Sequence, residues 1–239
     1  MADGNEVWGK VLKAAIKIPA VNVDREVFLK KELRRYFDDD TLQKAIDGNP
    51  TLYLTKSQAA KIANGCINYH LTLVTSASAL AGIPGGWWMA GTVPADLTQF
   101  YGHILALAQK LMYIYGCPSI SNGKGEYDDE TSNILTIFVG VMMGEQMAVK
   151  TLGKLLEELS KQVAKKLPKQ ALTKYAIYNI VKKVAKWIGV KITKDSFAKG
   201  AGKLLPIIGA PISGAMTYYT FKPMANRLKR HLENCIYSD

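Results

Sequence analysis

Apolar positions recur along this chain at intervals of three and four, the period of helices with one face against a core. Clean alternation of apolar and polar residues is absent. Asp24 precedes REVFLKKELRRYF, where Val27, Phe28, Leu33 and Phe37 form a rough stripe. A short helix over 41–46 stops at Gly48, with Pro50 after it. Thr55 with Gln58 has the spacing of a capping box and opens a helix through Ala59, Ile62, Cys66 and Tyr69. From 62 to 95 there is no formally charged side chain, His70 aside. Within that stretch AGIPGGWWMAG must break the helix at Pro84, Gly85 and Gly86.

Pro94, with Thr92 as cap, suits the first turn of the next helix. Leu97, Phe100, Tyr101, Ile104, Leu105, Ala108, Leu111 and Met112 carry it to Gly116. After the polar loop SISNGKGEYDDE, acids load the start of a long helix near Asp129. Its apolar positions Ile134, Leu135, Phe138, Val141, Met142 and Met147 run on into LGKLLEELSKQVAKKLP, to be stopped by Pro168. Residues 172–188 read as an amphipathic helix with Gly189 as its C-cap. Thr193 opens another that stops near Pro206, and a last helix covers about 212–234.

The pattern predicts an all-α protein, a single compact bundle of about eight or nine helices over 1–239. It carries one Gly/Pro-broken apolar hairpin and no linker to a second domain. At 48% hydrophobic and 21% charged, the chain can bury a core without metal or disulfide. Three cysteines, Cys66, Cys117 and Cys235, lack metal-site spacing and suit a reducing compartment. Acids near the N-terminus exclude a secretory signal there, so a cytoplasmic protein is expected.

Charge divides the chain. Residues 1–149 hold 13 Lys/Arg and 15 Asp/Glu, net −2; residues 150–239 hold 18 and 5, net +13. The acidic or neutral part precedes a strongly basic one, which points to an acidic partner surface.

The segments ALAGIPGGWWMAGTVPADLTQFYGHILALAQKLMYIYG (80–116), DDETSNILTIFVGVMMG (128–144) and KLLPIIGAPISGAMTYYTFKPMANRL (203–228) together resemble the EcsC-like family of bacterial proteins. A Gly/Pro-rich apolar turn leads to a Pro-x-Asp helix at Pro94 and Asp96. A later segment with Leu205, Pro206 and Gly209 leads to a Gly-containing helix ending in basic residues. The resemblance implies a helical fold and membrane association, and no settled activity.

Candidate chemistry is sparse. Asp96, Gln99 and His103 share one helical face. Asn64 and His70 precede them, and Glu145 with Gln146 follows. Asp96, His103 and Glu145 are the catalytic candidates, since two carboxylates and an imidazole can do acid–base work. The competing reading is that they satisfy backbone breaks near Pro84 and Pro94. No metal or cofactor is expected. No P-loop, nucleophile elbow or HExxH occurs. Gly140 and Gly144 fit a spacing that lets helices approach closely.

Residues 71–95 and 204–221 lack formal charge over 25 and 18 positions, near the ~20 that span a bilayer. Internal Pro and Gly favour a hairpin packed in the core, with Trp87 and Trp88 partly covered. A membrane-insertion loop carrying those tryptophans is the alternative. Basic residues pair with apolar stripes at Lys165, Lys166, Lys169, Lys182, Lys183, Lys186, Lys222, Arg227, Lys229 and Arg230, as an interfacial helix on anionic lipid requires. Tyr175, Tyr178 and Trp187 read as core-facing, which ranks nucleic acid lower as the polyanion.

The expected function is therefore a non-enzymatic protein at the inner face of the cell membrane, its basic C-terminal face on anionic lipid or an acidic protein. A small-molecule-binding protein or enzyme with an apolar pocket near Asp96 and His103 is the alternative. A nucleic-acid-binding module is the weaker one.

Overall fold

Aspartates start many of the helices. In a computed structural model describing residues 3–75, 95–120, 127–160, 175–200 and 214–237, Asp3 accepts the Asn5 N–H at 3.3 Å and Asp24 that of Val27 at 2.9 Å. Asp38 and Asp128 accept from Thr41 and Thr131, each at 2.8 Å. Each such cap satisfies an otherwise orphaned donor and contributes ~1 kcal/mol.

Nine α-helices stand among the described residues: α1 (Gly4–Ala15), α2 (Arg25–Leu33), α3 (Asp39–Asp47), α4 (Lys56–Thr75), α5 (Ala95–Ile114), α6 (Asp129–Met143), α7 (Gln146–Ser160), α8 (Tyr175–Gly200) and α9 (Gly214–Ile236). No strand occurs among these residues. The all-α expectation holds. So does the capping box: Thr55 N–H donates to Gln58 Oε1 at 2.9 Å, and Gln58 N–H to Thr55 Oγ1 at 3.2 Å.

The centre of the core is α5 and α6. Every residue from 134 to 143 is buried, as a helix apolar all round must be. Around α5, the chain directions are fixed by side-chain contacts. At one pole Phe100 meets Phe221, ring centroids 6.0 Å apart. At the other, Tyr115 donates to Glu233 at 3.0 Å and Tyr237 to the Leu54 carbonyl at 3.2 Å. So α5 and α9 run parallel, and α4 runs against both. The end of α4 and the starts of α5 and α9 share one pole. The chain of α8 heads toward it too: Lys191 donates to the Met143 carbonyl at 3.3 Å, and the Tyr101 hydroxyl meets Met143 Sδ at 3.8 Å.

Buried polar groups lock the remaining pieces. Arg25 sends Nε to the Cys117 carbonyl at 3.0 Å, Nη1 to Ile46 at 2.5 Å and Nη2 to Gly48 at 2.9 Å. The negative end of α3 thereby holds a buried guanidinium. Gln109 donates to the Val21 carbonyl at 2.7 Å and accepts from Tyr127 at 3.3 Å, tying the turn after α1 to α5.

Several sequence expectations are corrected. The helical pattern read from the sequence starts only at Asp24, yet α1 precedes it and buries Trp8, whose indole N–H donates to Thr136 at 3.0 Å. The helix from Asp129 does not continue to Pro168 but ends at Gly144, whose φ of 88° makes the left-handed C-cap. Gly140 does serve close approach: a Cβ there would lie 2.6 Å from Val184 Cγ1. Gly189 caps nothing. It lies inside α8, which runs on past Thr193, because α1 crosses there and a Cβ would strike the Gly4 carbonyl. Val27 is 66% exposed, and Leu29 takes the core position instead. The apolar hairpin with Trp87 and Trp88 lies outside the described residues, as does the region of Pro168 and Pro206.

Candidate functional site

Of the predicted catalytic candidates, Glu145 and His103 have separate partners. Glu145 sits in the link between α6 and α7, where its Oε2 accepts the Ala148 N–H at 2.6 Å; it starts a helix. The side chain of Asp96 lies outside the described residues. Asn64 faces solvent.

His103 does find a partner. Its Nδ1 is 3.3 Å from Nδ1 of the buried His70 on α4, and Lys110 Nζ reaches His70 Nε2 at 2.9 Å. Because a lysine nitrogen donates here, His70 accepts at Nε2, carries its proton on Nδ1 and donates to His103. Burial first, then the Lys110 charge, pulls His70 down to about 2 and also lowers His103. Both rings are therefore neutral at physiological pH. Among the described residues, no group of three or more His, Cys, Asp or Glu could hold a metal ion.

The basic residues sort into two kinds. Arg227 donates to the Met142 carbonyl at 2.5 Å and lies over Gly144, so it caps α6. Lys229 pairs with the half-buried Glu233 at 3.4 Å. These two serve the fold. Lys182, Lys183, Lys186 and Arg230 face solvent, and Lys222 is half-buried. Lys165, Lys166, Lys169, Trp87 and Trp88 lie outside the described residues.

Tyr178 and Trp187 do not face the core as the sequence pattern places them, and the side chain of Tyr175 lies outside the described residues. Tyr178 is 49% and Trp187 36% exposed, and on α9 Tyr218 and Tyr219 reach 39% and 76%. The sequence period places Trp187 on the apolar face; in the structure Val181, Val184, Ile188 and Ile192 form that face. Three times an aromatic stands four residues before a lysine that covers its ring. Lys182 lies 4.6 Å from the Tyr178 centroid, Lys191 4.9 Å from Trp187 and Lys222 4.7 Å from Tyr218. Exposed cations of the N-terminal part pair with acids, Lys10 with Glu6 at 2.7 Å, Arg35 with Glu32 at 3.0 Å and Lys44 with Asp40 at 2.6 Å, and Arg35 also lies 5.2 Å from the Tyr36 centroid.

Sequence reasoning missed Lys110, although a signal was present. It is the sole cation of α5 and stands seven residues after His103, on the same face. Among the described residues, no helix is long and apolar enough to cross a membrane. No protein-family model, curated protein or solved structure matches the chain. The resemblance to the EcsC-like family thus rests on the three segments quoted for it.

Proposed function

We propose that this is a non-enzymatic, peripherally membrane-associated helical protein that docks on anionic lipid, at the inner face of the cell membrane, through α8 and α9. The observation that carries this reading is the repeated pairing of a surface aromatic with a lysine in the basic half. A ring and an ammonium at one height suit the headgroup layer, where aromatic bodies and cationic tips both find favourable surroundings. The solvent face of α8 adds Lys183, Lys186 and Val190, and residues 175–193 contain no acid. Support also comes from the charge-poor stretches 71–95 and 204–221, which leave the described fold at the pole where Phe100 meets Phe221. A helical, membrane-associated chain is also what the EcsC-like resemblance implies.

Each lysine near an anionic surface contributes about 1 kcal/mol, so three or four give weak, reversible attachment. Co-sedimentation with vesicles tests this. Binding is expected to phosphatidylglycerol-containing vesicles and not to phosphatidylcholine alone, and to fade as salt rises. The combined change Lys182→Glu, Lys183→Glu, Lys186→Glu weakens partitioning on the order of a hundredfold. Binding to both vesicle types alike, or to neither, overturns the reading. So does salt-sensitive binding to duplex DNA without binding to vesicles.

A further inference from the structure

Two surfaces of this chain carry opposite charge beside bare apolar side chains. The first is α3 with the turn that follows it. Residues 38–53 hold four acids and one base, a net of −3. Asp38, Asp39, Asp40 and Asp47 are all exposed. Beside them Leu52 is 77% exposed, more than any other large apolar side chain among the described residues, and Tyr53 is 38% exposed. The turn itself holds Leu52 outward, because Pro50 and Leu54 take its inward positions. Phe37 widens the apolar area, its ring centroid 6.4 Å from that of Tyr53.

The second surface is the solvent side of α8. Lys182, Lys183 and Lys186 stand there with the exposed Tyr178, Trp187 and Val190, and residues 175–193 contain no acid. Within one molecule the two surfaces are held by different neighbours. α8 packs on α1, α6 and α7, and α3 on α2 and the turn after it.

We propose that the two surfaces fit each other between copies of this chain: the acidic α3 turn of one molecule docks on the basic face of α8 of the next. Leu52 and Tyr53 then meet the apolar side chains of α8, and the aspartates stand opposite its lysines. An apolar centre inside a charged rim is the usual anatomy of a protein interface. Because the surfaces differ, the contact is head to tail. Each pair keeps one free surface of either kind, so growth does not stop at two molecules. One turn and one helix face make a small interface, so the contact is weak and sensitive to salt.

The contact requires no lipid and is tested without it, by light scattering and sedimentation of the full chain. At low salt the average mass is expected to rise with protein concentration past that of a dimer, and to return to the monomer as salt is added. Asp39→Lys with Asp40→Lys should weaken association about tenfold or more, and so should Lys182→Glu with Lys183→Glu and Lys186→Glu. The first variant keeps every lysine of α8, so its loss of self-association is separate from any loss of vesicle binding. Mixing the two variants is the decisive measurement. One has two basic surfaces and the other two acidic ones, so together they should associate at least as well as the unaltered chain. A monomer at every concentration and salt overturns the proposal and leaves the basic face to lipid or another polyanion. Association that neither charge reversal weakens, or a mixture that stays monomeric, overturns it as well.

Discussion

The chain's three histidines, His70, His103 and His231, share a condition: each is held below its ordinary value with burial as the first cause. For His231 the neighbouring Arg230 and Arg227 add to it. The consequence for stability has a definite sign. A depressed folded-state value means that, below about pH 6.5, the unfolded chain binds protons that the fold refuses. Stability is therefore full above that pH and is lost as the pH falls. His70, down at about 2, stays neutral through that whole range and should cost about 2 kcal/mol between pH 7 and pH 5. Urea unfolding at the two pH values measures the loss. In His70→Gln the pH-dependent part is expected to shrink by that amount; an unchanged slope would show that His70 is not buried in its neutral form. His70 and His103 were both visible as candidates in the sequence. Their pairing was not, because helix spacing gives the face of each residue and not which helix covers it.

Among the elements, α1 and α8 approach closely, and glycine at both crossing points permits it. A Cβ on Gly189 would lie 2.6 Å from the Gly4 carbonyl carbon, against backbone that cannot swing aside. Gly65, on the exposed side of α4, has nothing within 4 Å of the corresponding position. The same substitution should therefore have opposite signs. Gly65→Ala gains up to ~1 kcal/mol from helix propensity, and Gly189→Ala loses ~1–3 kcal/mol or more through overpacking. Thermal unfolding of the two variants reads both. Loss of stability in Gly65→Ala, or none in Gly189→Ala, would contradict this packing. From sequence alone Gly189 resembled a helix stop, since a glycine after a basic amphipathic run is the usual C-cap signal.

At the scale of the whole molecule, the parallel run of α5 and α9 against α4 gives the bundle two unlike poles. One has Tyr219 on the surface, near the exits of both charge-poor stretches. The other has Leu52, close to where Tyr237 bonds to Leu54. If α9 meets lipid at its start, the molecule docks with the first pole down. An environment-sensitive dye on Tyr219→Cys, in a Cys235→Ser background, is expected to shift to the blue on anionic vesicles. The same dye on Leu52→Cys should not respond. A response at Leu52 alone, or equally at both, would reverse or remove the orientation.

Local interactions settle what the sequence determined by itself. Asp24, Asp128 and the Thr55–Gln58 pair cap their helices within three residues of chain. The strand-free pattern likewise gave the all-α class, and the end of the last basic helix to within two residues. Charge asymmetry is a property of composition and needs no fold. Tertiary structure alone decided which glycines end helices and which admit a neighbour, since both uses require only a missing Cβ. It alone decided that Arg227 and Lys229 are occupied with the Met142 carbonyl and Glu233, while Lys182, Lys183 and Lys186 face solvent. And it alone brought Lys110 to His70, forty residues apart, because burial of a cation depends on what packs over it.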